Sequence, residues 1–276
     1  MDMTETLSQI EADGCRALID LEHGGRLASL VVDGWELVAG EGADIYHWGN
    51  FVLAPWTGRL RQGRFTHDGH EYRFPMTDPP NALHGLVVDE PWQLIEPGVV
   101  AIELRPPWPW RGRVIHLMRL FGDRLESRLE LHADEPMPAA MGWHPWFPAH
   151  LTGPRGQRAG PVELIASPGR MYANDEQGLP SGELTPPVPQ PWDYCFVDLA
   201  AAPRLRWPRN DGPDLEVVVE SDCPCWVLYD MEPQAIAVEP WTAPPDSLNM
   251  PSPAMVTPEA PLVASMMWRW HLGAKR

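Results

Sequence analysis

Short runs of alternating apolar and polar residues, separated by two-residue turn signals, dominate the chain. Residues 26–32 and 35–38 flank Asp33-Gly34, and residues 64–67 and 70–74 flank Asp68-Gly69. Asp-Gly between such runs predicts a hairpin, because both central residues of a type I′ turn need positive φ. A third hairpin is predicted where residues 113–121 meet 124–132 across Gly122-Asp123. Its second arm has the clearest period: Leu125, Ser127, Leu129 and Leu131 share one face, and Arg124, Glu126, Arg128, Glu130 and His132 share the other. That is a strand with one buried and one wet side. Further strands are predicted over 161–166, 215–220, 226–229, 235–239 and 262–270. No apolar stripe of period 3.6 runs for more than two turns.

Proline clusters separate these runs, and the 33 prolines among 276 residues are more than twice the usual ~5%. They exclude an architecture of long helices. Segment 240–261, with seven prolines, reads as a rigid irregular loop, and 152–160 as an exposed loop. The expected fold is all-β: a large antiparallel β-sandwich with few short helices, residues 1–276 forming one domain.

Charge and cysteine usage narrow the partners. With 21 basic against 38 acidic side chains the formal charge is −17, which disfavours nucleic acid. Residues 1–14 carry four carboxylates and no Lys or Arg, unlike a secretion signal, and no apolar run approaches a membrane span. Cys15, Cys195, Cys223 and Cys225 fit neither a redox Cys-x-x-Cys nor a four-ligand zinc pattern, and read as free thiols of a cytoplasmic protein.

Three segments could carry chemistry: Asn81-Ala82-Leu83-His84-Gly85, Gly142-Trp143-His144-Pro145-Trp146-Phe147, and Val238-Glu239-Pro240-Trp241. Each embeds one titratable group among apolar or rigid neighbours. Desolvation there lowers a histidine pKa and raises a glutamate pKa, bringing both towards neutrality, where acid–base catalysis is efficient. Taken singly, each also reads as a structural residue. His67 and His70, beside a tight turn, read as surface residues, and His116 and His132 as structural or solvated.

Taken together, these segments resemble the aldose 1-epimerase (galactose mutarotase) family. Pro55-Trp56-Thr57-Gly58-Arg59-Leu60, then Gly63-Arg64-Phe65 and Gly69-His70-Glu71-Tyr72, are similar to its Pro-aromatic-x-Asn-Arg-Ile, Gly-x-Phe and Gly-x-x-Tyr run, with Gly58 in place of the family Asn. Asn81 to Gly85 matches Asn-x-Leu-His-Gly. Gly142 to Phe147 matches Gly-x-His-Pro-Tyr-Phe with Trp146 for Tyr. Asp193-Tyr194-Cys195-Phe196 resembles the Asp-x-x-Phe block, and Val238-Glu239-Pro240 with the 244–249 segment resembles the block holding the catalytic glutamate.

The resemblance implies interconversion of α and β anomers of an aldose by ring opening. Glu239 would be the general base on the anomeric hydroxyl and His144 the general acid towards the ring oxygen. Arg59 and His84 would hydrogen-bond the sugar, and Asp193 would accept from its hydroxyls. Trp56, Trp146 or Trp241 would offer a flat face to the ring. Gly58 would leave one substrate or scaffold hydrogen bond missing. Only protons move, so no cofactor is expected. Two His and one Glu also make a zinc set, but His-Glu-x-x-His is absent and no metal is expected. The implied partner is a small sugar, on a monomer or homodimer. Two alternatives stand: a hexose-6-phosphate 1-epimerase, which would need Arg111, Arg113, Arg155, Arg158 or Arg170 at the rim, and a non-catalytic sugar sensor that kept the cleft.

Overall fold

In the computed structural model, residues 6–42 and 44–272 are described, so the first five residues of the acidic N-terminal segment lie outside them. Two large antiparallel sheets pack face to face. The first has eleven strands; in spatial order its main path runs Leu7–Ala12, Cys15–Asp20, Arg26–Val32, Asn50–Leu53, Gly142–Pro148, Ala235–Trp241, Cys225–Tyr229, Asp193–Val197, Arg170–Asn174 and Pro180–Thr185. The short strand Trp35–Glu36 hangs off Arg26–Val32. The second sheet has eight, in the order Gln93–Glu96, Val99–Glu103, Gly112–Leu120, Arg124–Ala133, Leu262–His271, Leu215–Ser221, Arg204–Trp207 and Glu163–Ile165. The only helical pieces among the described residues are two three-residue 3₁₀ turns, Arg61–Gly63 and Ser247–Asn249.

Three Asp-Gly turns take the same left-handed pair of conformations: Asp33 φ 49° with Gly34 84°, Asp68 48° with Gly69 76°, and Asp13 40° with Gly14 84°. The last joins Leu7–Ala12 to Cys15–Asp20, a hairpin that the Asp-Gly rule would have found and the alternation did not. The hairpin of Gly112–Leu120 with Arg124–Ala133 forms in the expected register, with Leu125, Ser127, Leu129 and Leu131 buried. Segment 152–160 is largely an exposed loop, as expected, with its ends closed by a short ladder. Leu151–Thr152 pairs with Arg158–Ala159 in a small hairpin, because buried Leu151 and Ala159 anchor its base. Within 240–261, Pro240 and Trp241 complete a strand, and Met255–Val256 pairs with Met137–Pro138.

The inner faces meet in an aromatic-rich core. Phe147 of the first sheet packs on Trp268 of the second, ring centroids 4.7 Å apart. Trp143 Nε1 donates to His116 Nε2 at 3.1 Å, so His116, fully buried, is a structural link between the sheets. Trp56 also lies in this core, against Phe74 and Trp108, and does not line the cavity on the far side of the first sheet.

The middle of the first sheet is buried on both faces. Ala235–Trp241 is buried at all seven positions. Ile236 and Val238 point into the inter-sheet core, whereas Ala237 and Trp241 join Phe51, Trp146, Cys195 and Val227 in a second apolar cluster on the opposite face. Loops cover that second face, leaving room for a cavity.

Candidate active site

Strand alternation and register together assemble the site. His144 lies on the same side of Gly142–Pro148 as Trp146, and Glu239 on the same side of Ala235–Trp241 as Ala237 and Trp241. Gly142 pairs with Trp241 and Trp146 with Ala237, so His144 falls across from Glu239. His144 Nε2 is 3.3 Å from Glu239 Oε2. Both groups are buried, at 7% and 2% exposure, and both line a cavity of about 350 Å³, within the ~300–1,000 Å³ range of small-molecule sites. Aromatic rings hold the imidazole on two sides: Phe51 stacks on it at 4.7 Å and Trp146 at 5.1 Å.

The Asn81-to-Gly85 motif places a second histidine beside the first. Asn81 exchanges backbone hydrogen bonds with Asp78, and its Oδ1 accepts the Gln62 N–H at 3.1 Å, closing a turn. His84 then takes the left-handed conformation, φ 59°, and its N–H donates to Gly58 O at 2.9 Å. Gly85, φ 83°, runs against Ala54 so closely that a Cβ would sit 2.0 Å from the Ala54 carbonyl oxygen. The result is an edge-on approach of His84 to His144, ring centroids 5.1 Å apart. Arg59 reaches the same cavity, its Nε donating to Asp78 Oδ2 at 2.6 Å.

Gly58 has a structural account. A Cβ there would lie 2.9 Å from Pro245 Cβ and 3.0 Å from Trp241 Cζ3, so these two side chains fill the space a longer residue would use. The Gly58 backbone carbonyl accepts from the His84 N–H, a bond independent of the side chain at this position.

Asp193 lies at the mouth, paired in register with Tyr229, which also lines the cavity. All five candidate residues, Arg59, His84, His144, Asp193 and Glu239, therefore border one cavity. Trp146 and Trp241 border it; Trp56 does not. None of Arg111, Arg113, Arg155, Arg158 and Arg170 reaches it; Arg113 pairs with Glu103 and Arg170 with Asp198. Tyr46 and His47 on the opposite rim have no motif signature in the sequence. Neither does Arg26, which opens its strand directly after Gly24-Gly25 and is buried beneath Phe51.

The electrostatics follow from burial. Desolvation pushes Glu239 well above the usual carboxylate range, and nearby Asp193 adds to it. Desolvation holds His144 well below the usual imidazole range, reinforced by His84 and His47. His84 falls to about 3 through burial, then Arg59 and His47. Asp193 is raised by desolvation and opposed by Arg59. Both members of the His144–Glu239 pair are thus driven towards neutrality, a pair holding one proton. His144 Nδ1 and His84 Nδ1 are buried without a hydrogen-bond partner among the described residues, and Glu239 Oε2 has the His144 Nε2 contact but no hydrogen bond of good geometry. Such atoms are costly unless a polar ligand meets them. Among the described residues no set of three or more His, Cys, Asp or Glu side chains is arranged to hold a metal ion.

Two antiparallel sheets, one of them carrying a buried His–Glu pair at the wall of a closed-in cavity, define a β-sandwich with a small-molecule-sized site. A sequence model of the aldose 1-epimerase family matches residues 7–249, and the chain belongs to that family, isomerases acting on carbohydrates. No curated protein sequence matches it. Among solved structures, a proposed aldose 1-epimerase of Escherichia coli K12 superposes with a TM-score of 0.80 at 20% identity, covering 96% of this chain and 99% of that one. A galactose mutarotase-like protein of Clostridium acetobutylicum gives 0.76 at 16%, covering 95% and 94%. The galactose 1-epimerase of Lactobacillus acidophilus gives 0.74 at 16%, covering 97% and 95%. At these identities the likeness establishes the fold. No helix among the described residues is long and apolar enough to cross a membrane.

Proposed function

We propose that this protein interconverts the α and β anomers of a free, neutral aldose. The observation that carries the reading is the approach of His144 Nε2 to Glu239 Oε2 at 3.3 Å, both buried at the wall of the one cavity that gathers all five candidate residues. Residues 6–272 act as one unit in this reading, because the cavity draws on chain from Tyr46 to Pro245.

Burial leaves the pair's single proton on Glu239 at rest, and its transfer to His144 across the 3.3 Å gap gives the reactive form; Glu239 then takes the proton of the anomeric hydroxyl while His144 gives its own to the ring oxygen. The bond from C1 to the ring oxygen breaks, and the anomeric oxygen becomes the aldehyde carbonyl. Rotation about C1–C2 presents the other face, and the same transfers in reverse close the ring. Ring opening converts a charged pair into protonated Glu239 and neutral His144, the state that burial favours. Arg59 and His84 donate to the sugar oxygens, and Asp193 accepts from hydroxyls at the mouth. No hydride moves and no C–H bond breaks, so two proton-transfer groups suffice, each worth typically ~10²–10⁴-fold.

A phosphorylated sugar fits less well. Arg59, the one Lys or Arg lining the cavity among the described residues, is already paired with Asp78, and Asp193 shares the mouth. A pure sensor would not need a matched acid and base. The test is anomer exchange, followed by polarimetry or exchange NMR, across freshly dissolved pentoses, hexoses and hexose 6-phosphates. Acceleration with neutral sugars is expected; sugar binding without acceleration would replace this reading by the sensor, and exchange confined to phosphates by the phosphate epimerase.

A further inference from the structure

Arg26 is fully buried and, among the described residues, makes no hydrogen bond to a carboxylate. Its guanidinium spends its donors on four backbone carbonyls from three separate loops: His23 O at 2.7 Å, Ile45 O at 2.9 Å, Trp48 O at 3.2 Å and Val88 O at 3.1 Å. Two of these lie on the 44–48 loop, which sets Tyr46 and His47 at the cavity rim. Trp146 Nε1 pins the same loop from the other side through Tyr46 O, at 2.7 Å. The guanidinium also lies over the Trp48 ring at 4.1 Å and the Phe51 ring at 5.1 Å, and Phe51 is the ring stacked on His144. Burying an unpaired guanidinium is expensive, and its planar fork is the side chain best suited to several carbonyls at once.

We propose that Arg26 is a positioning residue of the mutarotase site: its fork clamps the rim loop that receives the sugar, and its charge, one ring away from His144, biases the protonation of the His144–Glu239 pair. The proposal rests on the anomer-exchange reading above. The other charged or titratable groups around the imidazole are Glu239 across the strand pair, His84 from the turn, His47 from the rim loop, and Arg59 with Asp193 across the cavity. Around the guanidinium they are Asp20 and Asp89. Arg26 is the buried cation of this set, so removing its charge makes His144 easier to protonate.

The test compares wild type, Arg26→Lys and Arg26→Gln in anomer exchange against pH, with circular dichroism to confirm folding and amide hydrogen exchange at residues 45–48. Lysine keeps the charge but not the fork. KM should rise about tenfold in both variants while kcat stays within about threefold. The pH limb of the pair should move to higher pH in Arg26→Gln and stay in place in Arg26→Lys. Folded variants with wild-type KM and pH profile would overturn the proposal and leave the anomer-exchange reading intact. If Arg26→Gln does not fold, the KM of Arg26→Lys decides. If wild type exchanges no aldose, the functional reading fails, and hydrogen exchange still judges the clamp: unchanged protection at 45–48 in Arg26→Lys would refute it.

Discussion

Gly85 and Gly69 share a backbone conformation, φ 83° and 76°, but not an environment, and alanine at each should separate the two effects. At Gly69, on the Asp-Gly turn, a Cβ meets nothing within 4 Å. Only the left-handed cost remains, roughly 1–2 kcal/mol. At Gly85 the Cβ would fall 2.0, 2.4 and 2.9 Å from the Ala54 O, C and N atoms, all backbone that cannot rotate away. Relief requires the two segments to part, which strains the Leu86 N–H to Ala54 O bond of 2.7 Å and draws His84 away from His144. Overpacking of this kind adds about 1–3 kcal/mol to the conformational cost, roughly 2–5 in all. At 2–4 °C per kcal/mol for a chain of this size, Gly85→Ala should melt roughly 4–20 °C lower, against about 2–8 °C for Gly69→Ala. Calorimetry and anomer-exchange rates on the two variants check this. Gly69→Ala should keep wild-type activity, whereas Gly85→Ala should lose much of it even below its melting temperature. Equal melting shifts, or full activity in Gly85→Ala, would refute the close-approach account of the motif.

Two further outcomes follow from buried polar groups. His84 and His116, each held at about 3, and His144, held well below 6.5, stay neutral in the fold, whereas the unfolded chain takes up protons below ~6.5. Their contribution to stability is complete above that pH and is lost as pH falls through 6.5 and on towards 3. Glu239 and Asp193 act oppositely, losing stability as pH rises above 4.5 and 3.8, but they are two groups against three. The melting temperature should therefore fall from pH 7 to 5, and His116→Gln, which can still accept from Trp143, should flatten the slope; no fall in wild type would contradict the burial assignments. Asp246, buried with φ 59°, accepts from the Arg61 backbone N–H at 2.9 Å, Arg61 Nε at 3.1 Å and Asn249 Nδ2 at 2.7 Å. Asp246→Asn tolerates the conformation but loses the charge facing Arg61 and an acceptor, about 1–3 kcal/mol by denaturant titration; an unchanged midpoint would show that water replaces those bonds.

The outer layer of this fold was legible wherever one side of a strand is wet. Leu125 to Leu131 alternates with charged partners, and its register came out as the period demands. Of the doubly covered central strands, 235–239 was read from its apolar run and extends to Trp241, whereas Asn50–Leu53 and Gly142–Pro148 were not legible, because they show no alternation to read. The same double burial concealed the site's assembly. His84, His144 and Glu239 stood out as titratable groups in apolar settings, but their meeting depends on Pro145 and Pro240 lying in paired strands, which local pattern argues against. Family resemblance supplied that convergence. Arg26 and the 44–48 rim escaped both routes, since their roles depend on backbone carbonyls and ring stacking, which leave no residue pattern.

The central claim is that His144 and Glu239 act as one proton-carrying unit, and a double-mutant cycle in anomer exchange tests it most directly. Glu239→Gln and His144→Asn should each reduce kcat at least ~100-fold while sugar binding persists, and the double variant should be little worse than the poorer single one. Losses that multiply would mean two independent groups, and unchanged exchange in either single variant would contradict the account.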